Sequence, residues 1–255
     1  MHYLTHFIQT YAGLSVYYLA FTVPFFLIFW IYYRNQWANR RIQPKPRANR
    51  SQFFREIKLS FLTILIITVI DTFLFDDGYK SAIVLFTDFS EHGILYFLAT
   101  TFMLFVIDDA YFYWSHRALH SKLLYKQVHK THHKSIDTTP FASFAFHPFE
   151  TLVQQGSIVF VILFSLVAPL HISSIIFWQM MATFCTMLGH LGYEVYPKWL
   201  LTTPILKWIA PATHHNMHHT KFVGNYGLYF RWWDKIMRTE FKDFEVTFHN
   251  IFKRV

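Results

Sequence analysis

Residues 93–120 read GILYFLATTFMLFVIDDAYFYWSHRALH, and this stretch decides the fold. From Gly93 to Tyr113 it is apolar apart from Asp108 and Asp109, and long enough to cross a hydrocarbon core that takes about 20 residues of helix. Its far end carries His116 and His120. At i and i+4 these share one helix face, so a membrane helix delivers two imidazoles together at its end.

Working outward, four further apolar runs stand at Ala12–Tyr33, Leu59–Phe75, Leu152–Pro169 and Ile172–Leu188, the last two joined by a tight Pro169-Leu170-His171 turn. The shorter ones fall below an independent span and fit tilted or re-entrant helices. The chain of 255 residues is 53% hydrophobic, 21% aromatic and only 15% charged. A soluble domain carries roughly 25% charged residues, so lipid must cover much of this surface. The first run has no basic lead and reads as a retained helix rather than a cleaved signal. The single cysteine, Cys185, excludes a disulfide framework and cysteine-rich metal sites.

Charge orients the spans. With the N-terminus outside, residues 34–58, 114–150 and 189–255 share the inner side and hold every lysine and arginine except Lys80, which lies near Asp76, Asp77, Asp88 and Glu91. The positive-inside rule supports this placement, and a soluble helical protein predicts no such segregation. Residues 34–58 contain a basic, proline-bearing linker and an amphipathic lead-in, Phe53–Lys58, which fit equally an interfacial segment and an ordinary loop.

The histidines on that inner side fall into close sets. His116 and His120 form one; His129, His132 and His133 lie at i, i+3 and i+4; His215, His218 and His219 repeat that spacing, with His214 just before them. His190 ends the fifth run, and Glu194 follows four residues later. Three such sets on one side point to a metal site, and so many imidazoles exceed the four ligands of one tetrahedral zinc, which implies two ions. Imidazole suits iron, zinc, copper and nickel, so ligand softness does not choose. The HExxH pattern of zinc proteases is absent. Asp109, seven residues before His116 on the same face, is a candidate to orient a ligand, with Asp108 less well placed. His147 is a candidate for lining the site or anchoring its loop. His2, His6, His92, His171 and His249 read as solvated or interfacial, and Asp71 as an acid near the outer end of its run.

The order Asp109-Ala-Tyr-Phe-Tyr-Trp-Ser-His116-Arg-Ala-Leu-His120, His129-Lys-Thr-His132-His133, Gly189-His190-Leu-Gly-Tyr-Glu194, His214-His215-Asn-Met-His218-His219, then Asn225-Tyr-Gly and Trp233-Asp234, resembles the fatty acid hydroxylase/sterol desaturase superfamily. The resemblance covers about residues 100 to 240. It implies a membrane-embedded oxidoreductase that hydroxylates or desaturates a lipid (sterol, fatty acyl chain, sphingoid base or alkyl glycerol) with O2. It also implies two iron ions held by His116, His120, His129, His132, His133, His190, His215, His218 and His219. Electrons then come from outside, from an acidic carrier such as cytochrome b5 or ferredoxin suited to the basic inner face. Two departures stand out: Glu194 occupies a place where some relatives have a histidine, and Ile236-Met237-Arg238-Thr239 replaces a frequent Phe-Gly-Thr.

The expected fold is therefore all-α: an integral membrane bundle of four to five spanning or re-entrant helices, with an inner-face helical cap carrying a histidine-rich dimetal site. Residues 1–58 form the N-terminal transmembrane helix and basic interfacial linker, and residues 59–255 the hydroxylase-like catalytic membrane domain. The expected site faces the cytoplasm, in a bacterial inner membrane or the endoplasmic reticulum, with Asp109 and Glu194 as its catalytic carboxylates and no nucleic-acid partner. The rival reading is a membrane metal transporter or storage protein, against which stands the near absence of ionisable residues along the spans.

Overall fold

The computed structural model describes residues 2–45, 47–74 and 83–254, with the side chains of Phe73 and Leu74 outside the description. Asp76, Asp77 and Lys80 lie outside the described residues. The long helices are α1 (His2–Phe25), continued by a π-helical stretch Phe26–Tyr32, then α2 (Arg50–Leu74) and α3 (Gly93–Leu119). After α4 (Lys122–Gln127) and two 3-10 segments, His129–Lys134 and Pro140–Phe144, come α5 (Pro148–Gln155), α6 (Ser157–Val167) and α7 (Ile172–Gly189). The cap follows as α8 (Ala212–Lys221), α9 (Trp232–Ile236) and α10 (Phe244–Ile251). The only sheet among the described residues is a parallel pair of two-residue strands, β1 (Leu85–Phe86) and β2 (Leu170–His171).

Among the described residues, four helical stretches are long and apolar enough to cross a membrane: His2–Tyr32, Gly93–Leu119, Pro148–Val167 and Ile172–Gly189. Their packing inverts that of a soluble bundle. Leu95, Phe102, Leu163, Val167 and Ile176 face outward, as lipid contact requires. On α2 the buried positions are Ile64 and the polar Gln52, Glu56, Ser60, Thr63, Thr68 and Thr72, while Phe54, Leu62, Leu65 and Val69 are exposed. Polar groups turn inward because only there do they find partners: Ser60 donates to the Phe141 carbonyl at 2.9 Å, and Thr68 to the Ile64 carbonyl at 2.8 Å.

The turns alternate between two ends as the charge pattern requires. At one end His6 meets Asp71 at 3.2 Å, Tyr96 donates to the Pro169 carbonyl, and β1 pairs with β2. His6 and His171 thus have partners that sequence spacing did not reveal. The Pro169–His171 turn is held by a distant segment rather than by its hairpin alone. At the other end the three basic segments pack on one another. Arg41 pairs with buried Asp137 at 2.6 Å, and Gln43 donates to the Ile136 carbonyl and to Asn216. Arg40 donates to the Tyr196 carbonyl. Arg41, Ile42 and Gln43, within the linker, are buried against this end.

Two local devices aim these segments. Pro24 lacks an amide hydrogen, and the helix widens just after it into the π-helical turns, which bring Trp30 to donate to the Leu191 carbonyl at 2.9 Å. After α7 the chain reverses at Gly192, whose φ is +80° and where a Cβ would meet the Thr138 carbonyl oxygen at 2.8 Å. Only glycine fits that approach.

Candidate metal centre

All nine predicted ligand histidines converge at this end, in two groups whose candidate ligand atoms lie within 4.8 Å of one another. One group is His116, His120, His129, His133 and His218; the other is His132, His190, His215 and His219. The segments 129–133 and 215–219 each feed both groups. His129 and His133 turn one way and His132 the other, while His215 and His219 separate from His218 on α8. All are buried except His120, which is partly exposed.

The ring tautomers test whether a metal fits. His116, His132, His190 and His218 direct Nδ1 at the carbonyls of Tyr226, Ala145, Thr186 and Gly224, at 2.9, 3.3, 2.7 and 2.7 Å. His129 directs Nδ1 at Glu150 at 2.8 Å. Carbonyls only accept, so the four rings that face them carry their proton on Nδ1 and leave a lone pair on Nε2, and His129 does the same when Glu150 is ionised. Yet His116 Nε2 stands 3.1 Å from His129 Nε2, and His132 Nε2 stands 3.2 Å from His190 Nε2. Two lone pairs cannot hydrogen-bond each other. Protonation is not the remedy: burial holds His129 and His132 well below the usual imidazole range and pushes His190 down to about 4. A cation shared between the nitrogens resolves the conflict.

The spacing agrees. Neighbouring Nε2 atoms within each group are 3.0–3.2 Å apart. Nitrogens ~2.1 Å from one ion stand ~3.0 Å apart at a right angle and ~3.4 Å apart at the tetrahedral angle. The observed edges fall near these values, as nitrogens that share one ion require. Phe112, Phe146, Leu228, Gln154 and Thr186 complete a small cavity with histidines of both groups and Glu150.

Residues 101–239, which contain every one of these histidines, match the fatty acid hydroxylase family. The chain belongs to that family. It is 34% identical over 197 residues to a delta(7)-sterol 5(6)-desaturase of Gibberella zeae, covering 77% of this chain and 58% of that relative. It is 41% identical over 141 residues to a methylsterol monooxygenase of Aspergillus fumigatus, covering 54% of this chain and 46% of that relative. Human lathosterol oxidase is 29% identical over 223 residues, 87% of this chain and 69% of the relative. The chain thus spans about half the length of the first two. No solved structure matches. Family membership and the apolar helices make the chain an integral membrane protein, and the histidine groups, in an oxygenase family, point to iron.

The family's Asn-Tyr-Gly and Trp-Asp residues have a physical task here. The strap 224–234 supplies the Gly224 and Tyr226 carbonyls that fix His218 and His116. Asp234 receives the amides of Tyr226 and Gly227 at 2.9 and 2.7 Å, and Asn225 donates to the His214 carbonyl. Asp109 belongs to this strap rather than to a histidine: it accepts the amides of Tyr229 and Phe230 and the Trp232 indole N–H at 3.1, 3.2 and 2.7 Å. Two helical turns separate it from His116 by about 10 Å along the axis, beyond hydrogen-bond reach. Asp108 accepts from the Tyr229 hydroxyl and the Trp178 indole.

Glu194 also stands outside both groups. Its carboxylate accepts the amide and hydroxyl of Thr213 at 2.8 and 2.6 Å and the Tyr196 amide at 3.0 Å, tying the turn after α7 to the start of α8. Burial pushes its carboxyl up to about 7, against those donors. The i+4 spacing from His190 carries no meaning because the helix ends at Gly189. His147 caps α5 by accepting the Phe149 amide, and His214 lies fully buried 3.6 Å from Asp234. Sequence reasoning missed Glu150. The available signal was an acid opening an apolar run, costly in a membrane unless paired.

Proposed function

We propose that this chain is a di-iron oxygenase that hydroxylates or desaturates a sterol-type lipid within the membrane. The observation that carries the reading is the convergence of nine Nε2 atoms, five of them on rings whose Nδ1 faces a backbone carbonyl or the Glu150 carboxyl group. The sterol class rests on what the relatives act on.

His116, His120, His129, His133 and His218 would hold one iron, and His132, His190, His215 and His219 the other. Iron there, with O2 and two electrons, supplies oxidation of an unactivated C–H bond. Hydroxylation converts R–H, O2, two electrons and two protons to R–OH and water; desaturation removes two hydrogens and releases two waters. The protein's own part is placement. Phe112, Phe146 and Leu228 offer an apolar wall beside the histidines, against which a hydrocarbon edge would lie with water excluded. Asp109 and Asp234 are positioning residues, acting through the strap.

The electrons come from an acidic carrier, such as cytochrome b5 or ferredoxin, on the cytoplasmic side. A surface hollow lined by Gln43, Pro44, Lys45, Arg47 and Thr220 supports this, since Thr220 follows His219 on α8 and the hollow's charge is positive.

Expression in cells that make sterols, followed by mass spectrometry of lipid extracts, tests the reading. A sterol gaining one oxygen atom or losing two hydrogens is expected, absent from cells expressing His132→Ala. Iron-loaded protein with a competent reductant and no change in any lipid would overturn it. Metal flux in reconstituted vesicles without O2 consumption would replace it with the transporter reading.

A further inference from the structure

The partners of the ring nitrogens opposite the site are not alike. Four of the nine imidazoles set Nδ1 against a neutral backbone carbonyl. The Nδ1 atoms of His133, His215 and His219 are buried with no hydrogen-bond partner among the described residues. His129 alone meets a carboxylate, that of Glu150, at 2.8 Å with both side chains buried. Glu150 sits in the first turn of α5, which His147 caps, so the helix start fixes the carboxylate's direction. Its other oxygen, Oε2, is buried without a partner, and the residue borders the cavity between the two groups.

We propose that Glu150 is a positioning residue for one metal ion and not the other. Through His129 it makes the five-histidine position the tighter of two unequal sites. The proposal rests on the two-ion reading above. A carboxylate behind an imidazole fixes its tautomer, makes Nε2 a stronger donor and offsets part of an ion's charge. The four-histidine group has no such help: His132 and His190 lean on carbonyls, and His215 and His219 on nothing. Around the nine rings, Glu150 is the one carboxyl group that touches a candidate ligand within hydrogen-bond distance among the described residues.

The test is an anaerobic titration of the metal-free, full-length protein in detergent with Co(II), read by its visible absorption bands and by bound metal after gel filtration. Wild type is expected to take up two ions in distinguishable steps. Glu150→Gln keeps the volume and loses the charge. It should weaken the tighter step about ten- to a hundredfold and leave the other within about twofold. Glu150→Asp keeps the charge and loses volume, and should fall between wild type and Glu150→Gln; a packing role predicts the reverse order. Circular dichroism and melting of the metal-free proteins check folding in each case. Equal loss at both steps, no loss, or Asp weaker than Gln overturns the proposal. Wild type that binds fewer than two ions overturns the two-ion reading itself, and the proposal falls with it.

Discussion

His171 and His219 are both buried, at opposite ends of the bundle, and differ in how their nitrogens are satisfied. His171 accepts the Ser173 amide on Nδ1, donates from Nε2 to the Thr87 carbonyl, and stacks on Phe89 with ring centroids 4.0 Å apart. One neutral tautomer meets every demand. His219 faces His215 Nε2 at 3.2 Å, and its Nδ1 has no partner among the described residues. Burial therefore does not mark a ligand; Nε2 atoms that face one another on rings whose Nδ1 is left unpartnered do.

The sharpest test of that contrast is truncation at each end. His132→Ala and His218→Ala should each lose about one of the two ions and lower turnover to below about a hundredth of wild type, measured by metal analysis and product formation. His171→Ala should cost about 3 kcal/mol in lost cap, hydrogen bond and packing, with metal content intact. Metal loss from the His171 variant, or full occupancy in the other two, would erase the distinction. Next in size is Asp109→Ala, which strands three donors and should lower stability by about 3 kcal/mol or more in a detergent melt. An unchanged melt would show that the strap does not depend on it.

Glu194→Gln should cost about 1–3 kcal/mol, because an amide N–H then faces the Thr213 and Tyr196 donors. Metal stoichiometry should hold; one ion lost would make that carboxylate a ligand after all. The smallest effect is a gain. Arg238 has φ +55°, a left-handed conformation that disfavours residues with a Cβ, at a position where the family often has glycine. Arg238→Gly should stabilise by up to about 1 kcal/mol, and a loss would mean that contacts of the arginine outweigh its backbone strain.

Much of the architecture was legible in the sequence because membranes simplify the code. Apolar length and basic ends place the spans, and the i, i+3, i+4 histidine spacing survives in α8. In His129–Lys134 the same spacing lies on a 3-10 segment rather than an α-helix, yet the rings still converge. The carboxylates were not legible. Asp109 shares a helix face with His116, but sharing a face is not reaching it. Glu194 counts one turn from His190 only if the helix continues, and Gly192 turns the chain away. Glu150 is separated from His129 by 21 positions and meets it only because α5 begins where His147 caps it.

The way 129–133 and 215–219 each serve both histidine groups also determines where this chain tolerates inserted or deleted residues. One extra residue inside the α8 cluster swings everything beyond it by about 100° around the helix axis, and so withdraws ligands from both groups at once. An insertion at exposed Pro204–Ile205, between the 3-10 turns Lys198–Thr202 and Leu206–Trp208, lengthens a surface path between fixed points. The information is carried by the reading frame within each histidine cluster, while the distances between clusters are free to drift.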